Sequence, residues 1–169
     1  MTSPMYTNAV PVFKQLLTAT RAILATTAAE VAAKSMNADA FLQARLFPDM
    51  FPLLKQVQIA CDFARGVSAR LAGVPVPAHE ATEASFADLD ALLASTLAFI
   101  DGLDAAAFDG AESREVVLRP GTPKERKLGG QAYLSSYGLP QFFFHVTTTY
   151  AILRHNGVAI GKKDFMGAY

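Results

Sequence analysis

Apolar residues recur at three- and four-residue spacing in four stretches of this chain, and each stretch predicts an amphipathic helix. The first covers Tyr6 or Val10 to about Ala33, with Val12, Leu16, Ala19, Ile23 and Val31 in register and Phe13, Leu17 and Leu24 beside them. Pro11 suits a first turn, which makes Asn8 the expected cap. The second is expected from Asp49, as cap, with Pro52 still in the first turn. Its stripe is Met50, Leu53, Leu54, Val57, Cys61, Ala64, Val67 and Leu71, and Gly73 followed by Pro75 and Pro77 ends it. The third runs from about Ser85 to Leu103 on Phe86, Leu89, Leu92, Leu93, Thr96, Leu97 and Ile100. The fourth runs from Pro140 to about His155, closed by Asn156-Gly157.

The connections have their own signals. Asn37 to Asp49 reads as a linker holding a short helical turn, and Ala78 to Glu83 as an irregular polar loop with His79 on its surface. Arg114–Arg119 and Lys124–Gly129 flank Pro120-Gly121-Thr122-Pro123, which predicts a small β-hairpin with alternating charges. Gln131 to Tyr137 forms a helical turn or two, and the tail from Val158 to Tyr169 is ordered only where it packs on the helices. The architecture expected is all-α, one domain over 1–169, a four-helix bundle with connections longer than a simple up-down arrangement needs.

Composition narrows the partners. Fifteen Lys+Arg against fifteen Asp+Glu give no net charge, which argues against nucleic acid and anionic membranes. A chain 51% hydrophobic and 18% charged has apolar surface to place against a partner subunit. A single cysteine, Cys61, excludes an internal disulfide and reads as a small buried hydrophobe. No run of about 18 uninterrupted apolar residues suggests a membrane span. No signal peptide is recognised at the start, so a cytoplasmic location is the default expectation.

Candidate chemistry centres on His145, set among Phe142, Phe143 and Phe144. Gln141, His145 and Thr148 or Thr149 share one face of the fourth helix, with Phe142, Val146, Tyr150 and Leu153 on the neighbouring line. Partial desolvation favours a neutral imidazole, able to bind metal or act as a base. The simpler reading is an interior histidine bonded to a group on another helix. Gln56, Gln58 and Asp62 are the polar residues of the second helix that can face inward, although Gln58 and Asp62 fit a solvated pair beside Arg65. Neither HExxH, a P-loop, GxSxG nor a dinucleotide fingerprint occurs.

Two segments, Phe47 to Ala64 and Pro140 to Val158, resemble a bacterial family of unknown function grouped with the DinB-like, or YfiT-like, superfamily of metalloenzymes. The resemblance spans nearly the whole chain and implies a four-helix bundle with a long crossover, frequent homodimers and a divalent metal held by three histidines. One such histidine comes from the second helix and two, as HxxxH, from the last. Here His145 matches one of the pair; its partner position is Thr149 or Gln141, and the second-helix position falls near Gln56. The expectation is a metal-free bundle with a small-molecule pocket lined by Gln56, Gln141, His145, Thr149 and Tyr150, walled by Phe142, Phe144 and Tyr150. The alternatives are an enzyme using His145 as base or metal ligand, and a structural dimerisation domain.

Overall fold

In the computed structural model, which describes residues 3–169, four long helices enclose one continuous core. A single turn, α1 (Pro4–Thr7), leads into α2 (Val10–Ala33), followed by α3 (Ala38–Leu42), α4 (Leu53–Ala72) and α5 (Phe86–Asp101). Two 3-10 turns, Ala105–Phe108 and Ala111–Ser113, lead to the antiparallel pair β1 (Glu115–Leu118) and β2 (Arg126–Gly129). The chain ends with α6 (Gly130–Ala132), a π-helical stretch Tyr133–Gly138, α7 (Leu139–His155) and α8 (Lys162–Met166).

Neighbour relations define the topology. α2 packs on α5 and α7, and α4 packs on the same two helices, so α2 and α4 stand diagonally across the bundle. Successive long helices α2 and α4 therefore require a crossover, supplied by the segment containing α3, and the hairpin region carries the chain from α5 to α7. An edge-to-face contact of Phe13 on Phe142, with centroids 4.8 Å apart, ties α2 to α7 at the centre. The run from Pro4 to Ala33 is apolar and long enough to cross a bilayer by length and composition. Much of that hydrophobicity is the stripe Val10, Phe13, Leu17, Ile23 and Leu24 buried in the bundle core.

Helix starts depart from expectation at two places. Asn8 does not cap α2; it closes α1, whose own cap is the Ser3 hydroxyl. Ala9 occupies the α2 cap position without a side-chain bond, since a helical turn precedes it directly and Pro11 has no N–H to satisfy. Asp49 does not cap α4 either. Pro52 stands at the cap position in extended backbone, and the Leu53 amide is taken by the Ala44 carbonyl at 2.9 Å. α5 follows its sequence signal: the Ser85 hydroxyl accepts from the Asp88 amide at 3.1 Å. Asp90 and Asp101 pair with Arg21 and Lys14 across the α2–α5 seam.

The hairpin pairs Val116 with Leu128 and Leu118 with Arg126. Between the strands Arg119 adopts a left-handed φ of 50°. From Gly130 the helix continues without a break into α7, earlier than the expected start at Pro140. A proline inside a regular helix would clash with the carbonyl four residues back. The π turn widens the ladder there, with the Leu139 amide bonded to Leu134, and so admits Pro140. Gly130 anchors this turn: a β-carbon there would lie 1.8 Å from the Ala111 carbonyl oxygen.

Candidate functional site

His145 lies on the α4–α7 seam and is buried, at 7% exposure. Its Nδ1 is 2.7 Å from Gln56 Oε1. Gln56 Nε2 donates to the Phe51 carbonyl at 3.0 Å, which turns Oε1 toward the imidazole, so Nδ1 carries the proton. Nε2 then holds the lone pair and has no partner among the described residues. Phe63 stacks on the ring at 5.9 Å and 16°, and Phe144 meets its edge at 5.2 Å. Burial holds the imidazole below its ordinary value, favouring the neutral form.

The other expected site residues divide. Thr149 lies one turn beyond His145, but its hydroxyl donates back to the His145 carbonyl at 2.9 Å. Tyr150 is not beside His145; it packs edge-on against Phe165 of α8. The expected wall of Phe142, Phe144 and Tyr150 is not assembled, because these residues point in different directions. Phe142 enters the core, Phe144 is 55% exposed and Tyr150 turns to the tail. Gln141, one turn before His145, is half-buried and faces the hairpin.

A second polar group occupies the outer side of α4. His79 is no free surface histidine: its Nδ1 is 3.0 Å from Asp62 and its Nε2 2.9 Å from Glu83. Gln58 is not solvated; it is buried and donates to Glu83 at 2.7 Å. The segment between α4 and α5 folds back over α4 and covers it. Arg65 pairs with Asp62 at 2.6 Å. Burial works to raise the Glu83 carboxyl, but hydrogen bonds from His79, its own amide and Gln58 outweigh this and hold it below the usual range. Cys61 is fully buried, and desolvation pushes its thiol up to about 12, which makes it inert.

The recesses lie away from the His145 ring. A groove of about 880 Å³ runs between α2 and the tail. It is lined largely by small and aliphatic side chains, and its Lys14, Gln15 and Asp164 are taken up by Asp101, the Met166 carbonyl and the Gly161 amide. Two adjoining hollows of about 210 and 510 Å³ lie between the hairpin and the α4–α7 seam, sharing Leu118, Arg119 and Tyr137. Phe63, the residue stacked on His145, lines the first, and Gln141 lines the second. Tyr133 and Tyr137, carried by the π turn, stack at 5.9 Å, and Arg70 donates to the Tyr133 hydroxyl at 3.3 Å. Burial raises the Tyr133 phenol, with the Arg70 charge opposing, so it stays protonated. This cleft gathers aromatic walls and convergent polar groups as small-molecule sites do. Sequence reasoning missed Phe63, Tyr133 and Tyr137; the i,i+4 spacing of the two tyrosines beside a cationic hairpin was the available signal.

Residues 5–166 match the family model described as a domain of unknown function, DUF1993. The chain belongs to the DUF1993 family. It is similar to a crystal structure of a DinB family member protein from Shewanella denitrificans, at 37% identity and a TM-score of 0.90, over 97% of this chain and 92% of that one. No curated protein matches. The DinB-like fold expected from the sequence is therefore the fold of this DUF1993 chain.

The triad that the resemblance assigns to metal does not fit these residues. Its positions hold Gln56, His145 and Thr149, or Gln141 in the other register. The Gln56 oxygen faces the His145 proton, the Thr149 hydroxyl is turned onto a carbonyl, and Gln141 lies along the cleft. One imidazole nitrogen is left where about three ligands are needed. Among the described residues no three His, Cys, Asp or Glu side chains converge elsewhere to hold an ion.

Proposed function

We propose that this DUF1993 chain is a metal-independent DinB-like protein that binds a small molecule in the cleft between the hairpin and the α4–α7 seam, one layer from His145. The observation that carries the reading is the Gln56 amide, held between the Phe51 carbonyl and the His145 Nδ1–H. It fills the second-helix ligand position with a group already satisfied. The space for a ligand then begins one layer away, beyond Phe63 and alongside Gln141. Elemental analysis of the purified chain, before and after incubation with zinc, nickel or iron, tests the metal-free part. Trace metal, equal in wild type and His145→Ala, is expected; one metal per chain, lost in that variant, would overturn it.

A second reading has its own support. The unpartnered Nε2 lone pair of a neutral imidazole is the arrangement a general base needs. His145 would then act on a ligand reaching the edge of its ring, and His145→Gln would abolish turnover while leaving ligand affinity intact. Pairing with a second copy is supported by the exposed Leu46, Phe47, Phe51, Phe143 and Phe144. Light scattering at micromolar concentration is expected to give twice the chain mass of 18.1 kDa.

A further inference from the structure

The cleft between the hairpin and the π turn has a charge imbalance. Its two acids are both engaged: Asp62 by Arg65 and His79, and Glu125 by the Gly121 amide, which donates to it at 2.8 Å. Four cations line the same hollows, namely Arg70, Arg119, Lys124 and Arg126. Among the described residues Arg119, Lys124 and Arg126 form no ion pair. Arg119 is held there by left-handed backbone, unusual for a side chain of that size. Half-buried Tyr137, Phe63 and Leu118 line the same hollow, with Tyr133 and Val67 buried behind them. The π turn places Tyr137 at the cleft with Tyr133 buried beneath it, and such turns recur at functional sites.

We infer that this cleft takes a small organic anion: its flat apolar body lies against Tyr137, Phe63 and Leu118, with its carboxylate or phosphate group on Arg119 and Arg126. This names the ligand class for the pocket proposed above and rests on that reading. Guanidinium groups offer paired donors matched to carboxylate and phosphate oxygens, while aromatic faces hold the body.

The test is titration of the full-length, isotope-labelled chain with benzoate, phenyl phosphate, inorganic phosphate and the neutral benzamide, followed through amide signals of Arg119, Lys124, Tyr137 and Gln141. Benzoate and phenyl phosphate are expected to shift these signals with at least tenfold higher affinity than benzamide or inorganic phosphate. Arg119→Gly, which removes the charge while suiting the left-handed backbone, is expected to weaken benzoate by roughly tenfold or more, in line with one charge-assisted hydrogen bond. Tyr137→Leu is expected to weaken both ring-bearing anions and leave inorganic phosphate unchanged. Equal binding of benzoate and benzamide, or an unchanged affinity in Arg119→Gly, would overturn the anion assignment while leaving a pocket. No shift with any of the four probes would overturn the pocket as well.

Discussion

The same two helices, α4 and α7, are closed at one level and open at another. At His145 the seam is filled: Gln56 meets the imidazole, Phe63 covers its face, and Thr149 turns inward on its own backbone. Nearer the hairpin the partner of α4 is a π turn, the ladder is wider, and hollows open among Tyr133, Tyr137 and Arg119. The difference arises from backbone geometry rather than from side-chain type, since both levels are aromatic and both carry polar groups. A histidine on a helix seam does not make a metal site when the facing residue takes up one of its nitrogens and no other ligand joins it. A helix irregularity next to it can open a cleft.

The open level depends on one glycine, and its loss gives the largest effect. In Gly130→Ala the added carbon would meet the Ala111 carbonyl at 1.8 Å, which backbone cannot yield to cheaply. We expect a destabilisation of about 3 kcal/mol or more by urea unfolding, as overpacking against fixed atoms produces. The π turn would be displaced from the 3-10 turn at Ala111–Ser113, and the cleft with it. A variant within about 0.5 kcal/mol of wild type would show that the turn is not anchored there.

At the closed level, His145→Ala removes a ring and strands the Gln56 oxygen. Cavity formation and an unpaired buried acceptor together predict about 2–4 kcal/mol. The double variant with Gln56→Leu, which removes the stranded group, should recover about 1 kcal/mol or more of that. Strict additivity of the two changes would mean the pair contributes no coupling, and the seam would then be held by packing alone.

How far the sequence spoke differs between the two levels. Periodicity located all four long helices, and Gly73 ends α4 in left-handed backbone as expected. Gln56 and His145 were legible as facing positions because the family resemblance set α4 against α7 in register. The caps of α2 and α4 were misread, since Asn8 and Asp49 are good capping types in segments whose amides are satisfied by neighbouring backbone. Helical periodicity also misplaced Tyr150 and the Phe142–Phe144 wall: at about 100° per residue, Phe142 and Phe144 lie roughly 200° apart around the helix, so their rings cannot converge. Beyond the i,i+4 spacing of Tyr133 and Tyr137 the cleft left no trace, because a π turn has no sequence signature of its own. His79 and Gln58 were misread because nothing local says that the segment after Gly73 folds back over α4.

The smallest effect separates His145 from every other titrating group. Burial lowers its imidazole, and no ion pair of its own offsets that. The unfolded chain therefore binds a proton that the folded chain resists, so stability falls as pH drops below the ordinary imidazole value of about 6.5 and levels off below the depressed folded value. Glu83 also loses stabilisation in acid, but only as pH falls below the ordinary carboxyl value of 4.5, so the two windows do not overlap near pH 6. His145→Gln keeps an amide donor toward Gln56 and cannot titrate. Urea unfolding at pH 7.5, 6.5 and 5.5 should show wild type losing up to roughly 1.4 kcal/mol per pH unit more than this variant over the lower interval. His79, His155 and the carboxylates are common to both proteins and cancel in the difference. Parallel curves would mean that the imidazole takes up its proton as easily in the seam as in water, and the closed level would then not be closed.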